Sequence, residues 1–194
     1  FEGDGDTTKV GIKGGVELGE GGYLTAIIEY GDAAMTSRSH QRADAIAYEK
    51  ATGVKLPNPV QNWGSPDSTN YNYAINFMRP VADGTAEFYG FATYADGKGT
   101  SDINWRIPSA TANAGVYKQI DLFPGWNVAD IYPLGFTPRE SGEHKDYQAV
   151  LGMRGDIGAN FSWDVSVSEG ENETSFYLAN SINASMGPQS PFDF

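Results

Sequence analysis

The clearest pattern in the chain is an alternation of apolar and polar residues between Asp146 and Ser168. Side chains at every second position from 147 to 153 and again from 161 to 167 are apolar. The residues between them are polar or glycine, with Val150 as the one exception. Successive side chains of a β-strand leave on opposite sides, so this period of two predicts strands. Because the turn DIGAN between the two runs is short and contains Asp and Gly, the segment is predicted to form an antiparallel hairpin.

The same unit occurs twice more, with short turns at 19–22 and 82–84. The chain is therefore predicted to contain three hairpins whose six strands pair antiparallel in sequential order. The predicted strands lie near 7–18, 22–31, 70–80, 85–96, 145–155 and 160–170. A short helix is predicted near Ala43–Ala51, ending at Gly53, because good helix formers there precede a glycine.

The connections between the strands are very unequal in length. Turns within the hairpins have about four residues, whereas the loops 31–70 and 95–145 join one hairpin to the next. Long and short connections alternate, so all the long loops lie at one end of the sheet, as in bacterial outer-membrane barrels. We therefore predict an all-β fold, an antiparallel up-and-down transmembrane β-barrel segment with two long extracellular loops, in which residues 1–194 are part of one barrel domain.

Charged residues support a membrane-facing side of the sheet. The alternating runs within these strands, at 7–18, 23–30, 71–79, 86–94, 146–155 and 161–168, contain nine charged residues, and eight of them share the polar face, Arg79 at a turn end being the exception. A cation at the bilayer midplane costs roughly 2–4 kcal/mol, so such a pattern suits lipid contact. The residues expected to face lipid are Val10, Ile12, Leu24, Ile28, Ile75, Phe77, Leu151, Trp163 and Val165. Those expected to face the lumen include Glu29, Glu87, Arg154 and Asp164.

A soluble antiparallel sandwich shows the same alternation, with its apolar face turned inward. Alternation alone does not separate lipid from a protein core, and a second sheet packed on the apolar face would indicate the sandwich. The alternative function is therefore a structural or interaction β-module, barrel or sandwich, that serves as a scaffold in a larger assembly. In either case six strands leave two open edges, which we expect further strands or a partner to complete.

Composition excludes several classes of function. The net charge of −12 and the pI near 4.4 argue against a nucleic-acid partner. The absence of cysteine excludes disulfides and thiolate metal sites, and two histidines do not suggest a His-rich one. No hydrolase, zinc-protease or phosphate-loop motif occurs. We therefore predict no catalytic residue, no metal site, no cofactor and no enzymatic activity.

Several segments together resemble the TonB-dependent receptors of the Gram-negative outer membrane. The segments are RSHQRADA (38–45), PNPVQNWGSPD (57–67), EFYGFATYA (87–95), YPLGFTP (132–138) followed by DYQAVLGMRG, and NSINASMGPQSPFDF (180–194). They stand in the same order as in that family and span nearly the whole chain, the last being the most distinctive.

The resemblance implies a plugged barrel of about 22 strands in the cell outer membrane. It implies that the barrel is energised through the TonB system and takes up a scarce nutrient of the siderophore, vitamin or oligosaccharide class. The chain itself shows six candidate strands and no plug, and residues 187–191 do not suit a closing membrane strand. We therefore expect an internal piece of a longer protein whose partners are outer-membrane lipid, the remaining barrel and plug of the parent chain, and the TonB system.

Aromatic residues of the second long loop are the candidates for ligand binding. These are Trp105, Arg106, Tyr117, Trp126 and Tyr132, which suit stacking and hydrogen bonding. The alternative is that they pack the long loops against one another. Acidic residues at the strand ends, Glu2, Asp4, Asp6, Glu169, Glu171 and Glu173, are expected to point outward, where they either are simply solvated or share divalent cations with lipid phosphates.

Overall fold

The computed structural model describes residues 3–110, 116–118 and 121–194. Six strands and one α-helix account for most of this part of the chain, together with short 3-10 turns at Ala82–Gly84, Val128–Asp130 and Ala184–Gln189. The strands are β1 (Thr7–Glu17), β2 (Tyr23–Ala33), β3 (Asp67–Val81), β4 (Ala86–Asp102), β5 (Arg139–Ile157) and β6 (Phe161–Ala179), and the helix is α1 (Ala43–Thr52).

The six strands form one antiparallel sheet in the order β1-β2-β3-β4-β5-β6. This confirms the all-β class and the sequential up-and-down pairing of three hairpins. The sheet is open, with β1 and β6 at its two edges, so these six strands do not close a barrel among themselves. The three short turns lie at one end, which we call the turn end, and the connections 34–66 and 103–138 lie at the loop end.

Five strands extend further at the loop end than the alternation predicted, β2 by two residues and the other four by more. Strand β3 begins at residue 67 instead of 70, β4 ends at 102 instead of 96, β5 begins at 139 instead of 145, and β6 ends at 179 instead of 170. Polar side chains occupy both faces over most of these extensions, so the apolar alternation disappears although the backbone pairing continues. Cross-strand polar pairs stabilise these extensions, with Lys98 Nζ 2.8 Å from Glu143 Oε1 and Thr100 Oγ1 2.8 Å from Ser141 Oγ.

Helix α1 lies within the first long connection and confirms the sequence prediction closely. It begins at Ala43 and ends at Thr52, and Gly53 adopts the left-handed conformation with φ of 73°. The Gly53 N–H donates to the Glu49 carbonyl at 2.8 Å, which caps the last turn. At the other end the Arg42 guanidinium donates two hydrogen bonds to the Asp44 carboxylate, both at 2.9 Å.

The hydrophobic core lies in the loops and not beside the sheet. Two buried clusters are formed by Ala45, Leu56, Val60 and Trp105, and by Tyr117, Val128, Phe136 and Ile182. We call the structure made by the described residues of 34–66, 103–138 and 180–194 the loop cap. Ala86 is the one strand residue among the buried hydrophobic side chains of the described chain. The described residues form a single sheet, so the second sheet of a sandwich is not present in them.

Candidate membrane surface and loop cap

The pairing register decides which strand residues share a face of the sheet. Ile28 pairs with Ile12 of β1 on one side and with Tyr73 of β3 on the other. Residues that share a face can be followed through such pairs from β1 to β6. The register places all nine residues predicted to face lipid on one side, which we call the apolar face. Glu29, Glu87, Arg154 and Asp164 lie on the opposite, polar face.

The apolar face is open to its surroundings. Ile12 is 72% exposed, Val165 69% and Leu151 49%, although each belongs to a regular apolar stripe. Leu24, Phe77 and Trp163 are half-buried between their neighbours on the same face. A contiguous apolar surface of this kind marks an interaction surface rather than an ordinary soluble exterior. That the surface contacts lipid stays a prediction.

A band of tyrosines crosses the apolar face near the loop end. Its members are Tyr30, Tyr71, Tyr73, Tyr94 and Tyr147, aligned by the strand register. Ring centroids lie 5.1 Å apart between Tyr30 and Tyr71 and 5.9 Å apart between Tyr73 and Tyr94. Tyrosine places an apolar ring beside a polar hydroxyl, which suits the boundary between hydrocarbon and water.

A second aromatic group lies on the same face toward the turn end. Phe77 and Phe88 are in contact with centroids 5.4 Å apart, and Phe161 and Trp163 lie near the last turn. Between the two bands the face carries apolar and small residues, with Glu169 of β6, beside Ala149, as the charged exception. From Tyr147 to Ile157 the strand rises about 34 Å. At a barrel tilt of about 40° this is about 26 Å along the membrane normal, close to the apolar band of an outer-membrane barrel.

The sequence reasoning identified the apolar face but missed its two aromatic boundaries. The signal was available, because tyrosine lies on the loop side of each apolar run in four strands, whereas phenylalanine and tryptophan lie on the turn side. Reading it requires the register between strands, since a given height on the sheet corresponds to a different distance from the turn in each strand.

The polar face carries a hydrogen-bonded network near the turn end. Arg154 Nε donates to Glu87 Oε2 at 2.7 Å, and its guanidinium carbon lies 5.3 Å from the centre of the Tyr89 ring. The Tyr89 hydroxyl donates to Asp164 Oδ1 at 2.8 Å. Gly152 makes room for the Tyr89 ring, because a Cβ there would lie 2.5 Å from Tyr89 Cζ. These paired charges suit a wall that faces a water-filled or plugged lumen.

Gln61 connects the two long loops inside the loop cap. Its side chain is 1% exposed, and its Oε1 accepts hydrogen bonds from Arg42 at 2.9 Å and from the backbone N–H of Trp105 at 3.0 Å. Trp105 itself is 3% exposed and packs with Leu56 and Val60 beneath helix α1. The Thr137 hydroxyl adds a 2.6 Å bond to the Val60 carbonyl. The first loop is thus fixed to the second by both apolar and polar contacts.

The second cluster joins the second loop to the C-terminal segment. Tyr117 is 4% exposed and its hydroxyl donates to the Tyr132 carbonyl at 2.9 Å. The Tyr132 ring stacks on Phe136 with centroids 4.4 Å apart, and Trp126 packs on the outside of the cluster. Burial raises the pKa values of both the Tyr117 and Tyr132 hydroxyls.

The five ligand-binding candidates therefore fall into two positions in the cap. Trp105 and Tyr117 are buried core residues, so their side chains pack the loops in this structure. Arg106, Trp126 and Tyr132 are only partly buried, and Arg106 is held by a backbone bridge to Phe136 that joins the two clusters. Binding of a ligand by any of the five stays a prediction.

The acidic strand ends differ between the two edges of the sheet. Asp4 accepts from Arg38 at 2.8 Å and from the Ser37 N–H at 2.6 Å, and the Arg38 hydrogen bond lowers the pKa of Asp4. Glu169, Glu171 and Glu173 follow the apolar face of β6, as expected, and Glu2 lies outside the described residues. In the described part of the chain no three His, Cys, Asp or Glu side chains form a metal-binding group.

Raising the pH above about 10, the ordinary pKa of tyrosine, is expected to destabilise the loop cap. Because burial raises the folded pKa of Tyr117, the stabilisation is complete below the unfolded pKa and is lost as the pH rises through the folded one. Tyr117→Phe should keep the packing and remove this part of the pH dependence. Near-UV circular dichroism melts of both proteins on either side of this pH test it, and equal alkaline losses in both proteins would contradict it.

No helix in the described part of the chain combines the length and apolarity needed to cross a membrane. Comparison of the chain with protein-family models, with curated proteins and with solved structures gives no match.

Proposed function

We propose that the chain forms part of the wall and extracellular cap of a TonB-dependent outer-membrane receptor that takes up a scarce nutrient. The observation that carries this proposal is the exposed apolar face, bounded by a tyrosine band on the loop side and by phenylalanine and tryptophan on the turn side. A lipid-facing wall needs this arrangement, since the face then buries its apolar area in hydrocarbon.

The position of the long loops supports transport rather than a purely structural role. Both loops and the C-terminal segment pack into one cap above the tyrosine band, and the cap has its own buried core. A structural wall needs only short turns, whereas ordered loops held on a rigid sheet are where binding residues are usually placed. Arg106, Trp126 and Tyr132 are the partly exposed candidates for contact with the nutrient.

In this proposal the open edges at β1 and β6 pair with other strands of the parent barrel, and the polar face borders a plug. The Glu87–Arg154 pair and the Tyr89–Asp164 bond then line the lumen near the turn end. Energy for uptake comes from the TonB system, as in the family that the sequence resembles. Outer-membrane lipid, the parent barrel and plug, and TonB are the proposed partners.

Energised uptake into cells tests the proposal. Cells that express the parent protein are compared with cells in which residues 34–66 and 103–138 are replaced by short linkers, using labelled ferric siderophore, cobalamin and maltooligosaccharide as probes. Uptake of one probe should require both the loops and the proton-motive force. If none of the probes is taken up through the parent protein, while its removal disrupts a larger outer-membrane assembly, the scaffold alternative is correct.

A further inference from the structure

The C-terminal segment returns to the free edge of β6. After β6 ends at Ala179, the chain turns through Asn180, whose φ is 51°, and passes through the 3-10 turn Ala184–Gln189. It then comes back so that Phe194 lies beside Leu178. The Leu178 N–H donates to the Phe194 carbonyl at 3.0 Å, and the Phe194 N–H donates to the Leu178 carbonyl at 2.8 Å. Reciprocal bonds of this kind define a hydrogen-bonded antiparallel pair.

Several contacts hold the returning segment in this position. Ile182 is buried in the Tyr117 cluster, and the Asn180 side chain donates to the Thr137 carbonyl at 2.8 Å. The Ser181 N–H donates to the Phe192 carbonyl at 2.9 Å, and the Phe192 ring meets Tyr132 edge to face. The direction in which the chain arrives at Phe194 is therefore set by the cap.

The pairing also fixes which backbone groups of β6 remain on the free edge. In an antiparallel strand the N–H and C=O of one residue point the same way, and successive residues point to opposite sides. Because Leu178 points to Phe194, the even-numbered residues of β6 present their backbone groups to the free edge. The odd-numbered residues point to β5, which pairs with β6 along its whole length.

We propose that the free edge of β6 is covered by a seventh strand formed by the residues that follow Phe194 in the parent protein, in the register set by the Leu178–Phe194 pair. Each step down β6 from Leu178 corresponds to one step beyond Phe194, so reaching Phe161 takes about 17 further residues. This inference rests on the proposed function, in which the parent chain is longer than this one. Continuity of the chain favours this occupant over a separate partner, because the tail already lies on this edge and runs toward the turn end.

Amide hydrogen exchange resolved by residue tests the seventh strand. The parent protein in detergent micelles is compared with the same protein ended at Phe194. In the parent protein, even-numbered amides from 162 to 176 should exchange as slowly as their odd-numbered neighbours. In the shortened protein the same amides should exchange at least about 100-fold faster, while the odd-numbered amides serve as an internal control that β5 protects in both. Equally fast exchange of the even-numbered amides in both proteins would overturn the proposal.

Concentration-dependent protection in the shortened protein would also overturn it, because a second copy would then be the occupant.

Disulfide trapping tests the register directly, since the chain contains no cysteine. A cysteine in place of Tyr177 should oxidise with one at the residue directly after Phe194, and not with one placed two residues further. Preference for the shifted pair would show that the register is wrong. If the strand forms but the protein takes up no nutrient, the proposed function fails and this inference stands.

Discussion

Leu151→Arg is expected to destabilise the parent protein in phospholipid vesicles by about 2–4 kcal/mol, because it places a cation near the middle of the apolar face. Leu151 lies on that face in β5, beside Gly90 of β4, and is 49% exposed. In the proposed lipid-facing wall the guanidinium must enter hydrocarbon or distort the sheet to reach water. Equilibrium urea unfolding in vesicles measures the change in the free energy of unfolding.

Val150→Arg is the matched control for this change. Val150 is the next residue along the same strand, and it pairs with Phe91 and Ser168 on the polar face. In the proposed wall the same charge would lie on the aqueous side, so it should change the free energy of unfolding by less than about 1 kcal/mol. Equal losses from the two substitutions would show that the two faces do not differ in their surroundings, which contradicts the membrane account.

Trp105→Ala is expected to unfold the loop cap locally and to abolish uptake while the sheet remains intact. Trp105 is buried between Leu56, Val60 and helix α1, and removing a buried tryptophan side chain costs about 3–5 kcal/mol. The lost packing energy stabilises the loop cap and not the sheet, so faster amide exchange should appear in α1 and in the segment around Phe136. The strand amides should not change.

Trp126→Ala is the comparison for a direct role in binding. Trp126 packs on the outside of the second cluster and is only partly buried. Its removal should reduce uptake of the nutrient without raising amide exchange in α1. If the Trp105 variant loses uptake while amide exchange throughout the cap is unchanged, Trp105 contacts the ligand itself. Its burial would then not be what stabilises the cap.

The sequence predicted the sheet well where one face is apolar. Within the span bounded by the aromatic bands, a period of two reports which side of each strand is apolar, and pairs such as Ile12 with Ile28 follow from the short turn between β1 and β2. At the loop end the prediction stops short, because residues such as Lys98 and Glu143 pair across the strands with no difference in polarity between the faces. Backbone hydrogen bonds hold the strands together at the loop end, and the pattern of polar and apolar residues gives no sign of them.

The loop cap was beyond a local reading of the sequence. Gln61 and Trp105 lie 44 positions apart yet share a hydrogen bond, and nothing in the residues around either one predicts that contact. The aromatic residues of the second loop suit both stacking on a ligand and packing of a core, and only their burial distinguishes the two. The return of the tail to β6 likewise depends on contacts with Thr137 and Tyr132, which come from a different loop.

The most direct test of the membrane account is the accessibility of spin labels placed on adjacent residues of opposite face. Single cysteines replace Ile75 and Asn76 in β3, and Val165 and Ser166 in β6, in the parent protein reconstituted in lipid vesicles. Labels at 75 and 165 should collide mainly with oxygen, which dissolves in hydrocarbon, and those at 76 and 166 mainly with a water-soluble nickel chelate. Preferential collision of the labels at 75 and 165 with the nickel chelate would contradict the assignment of the apolar face to lipid.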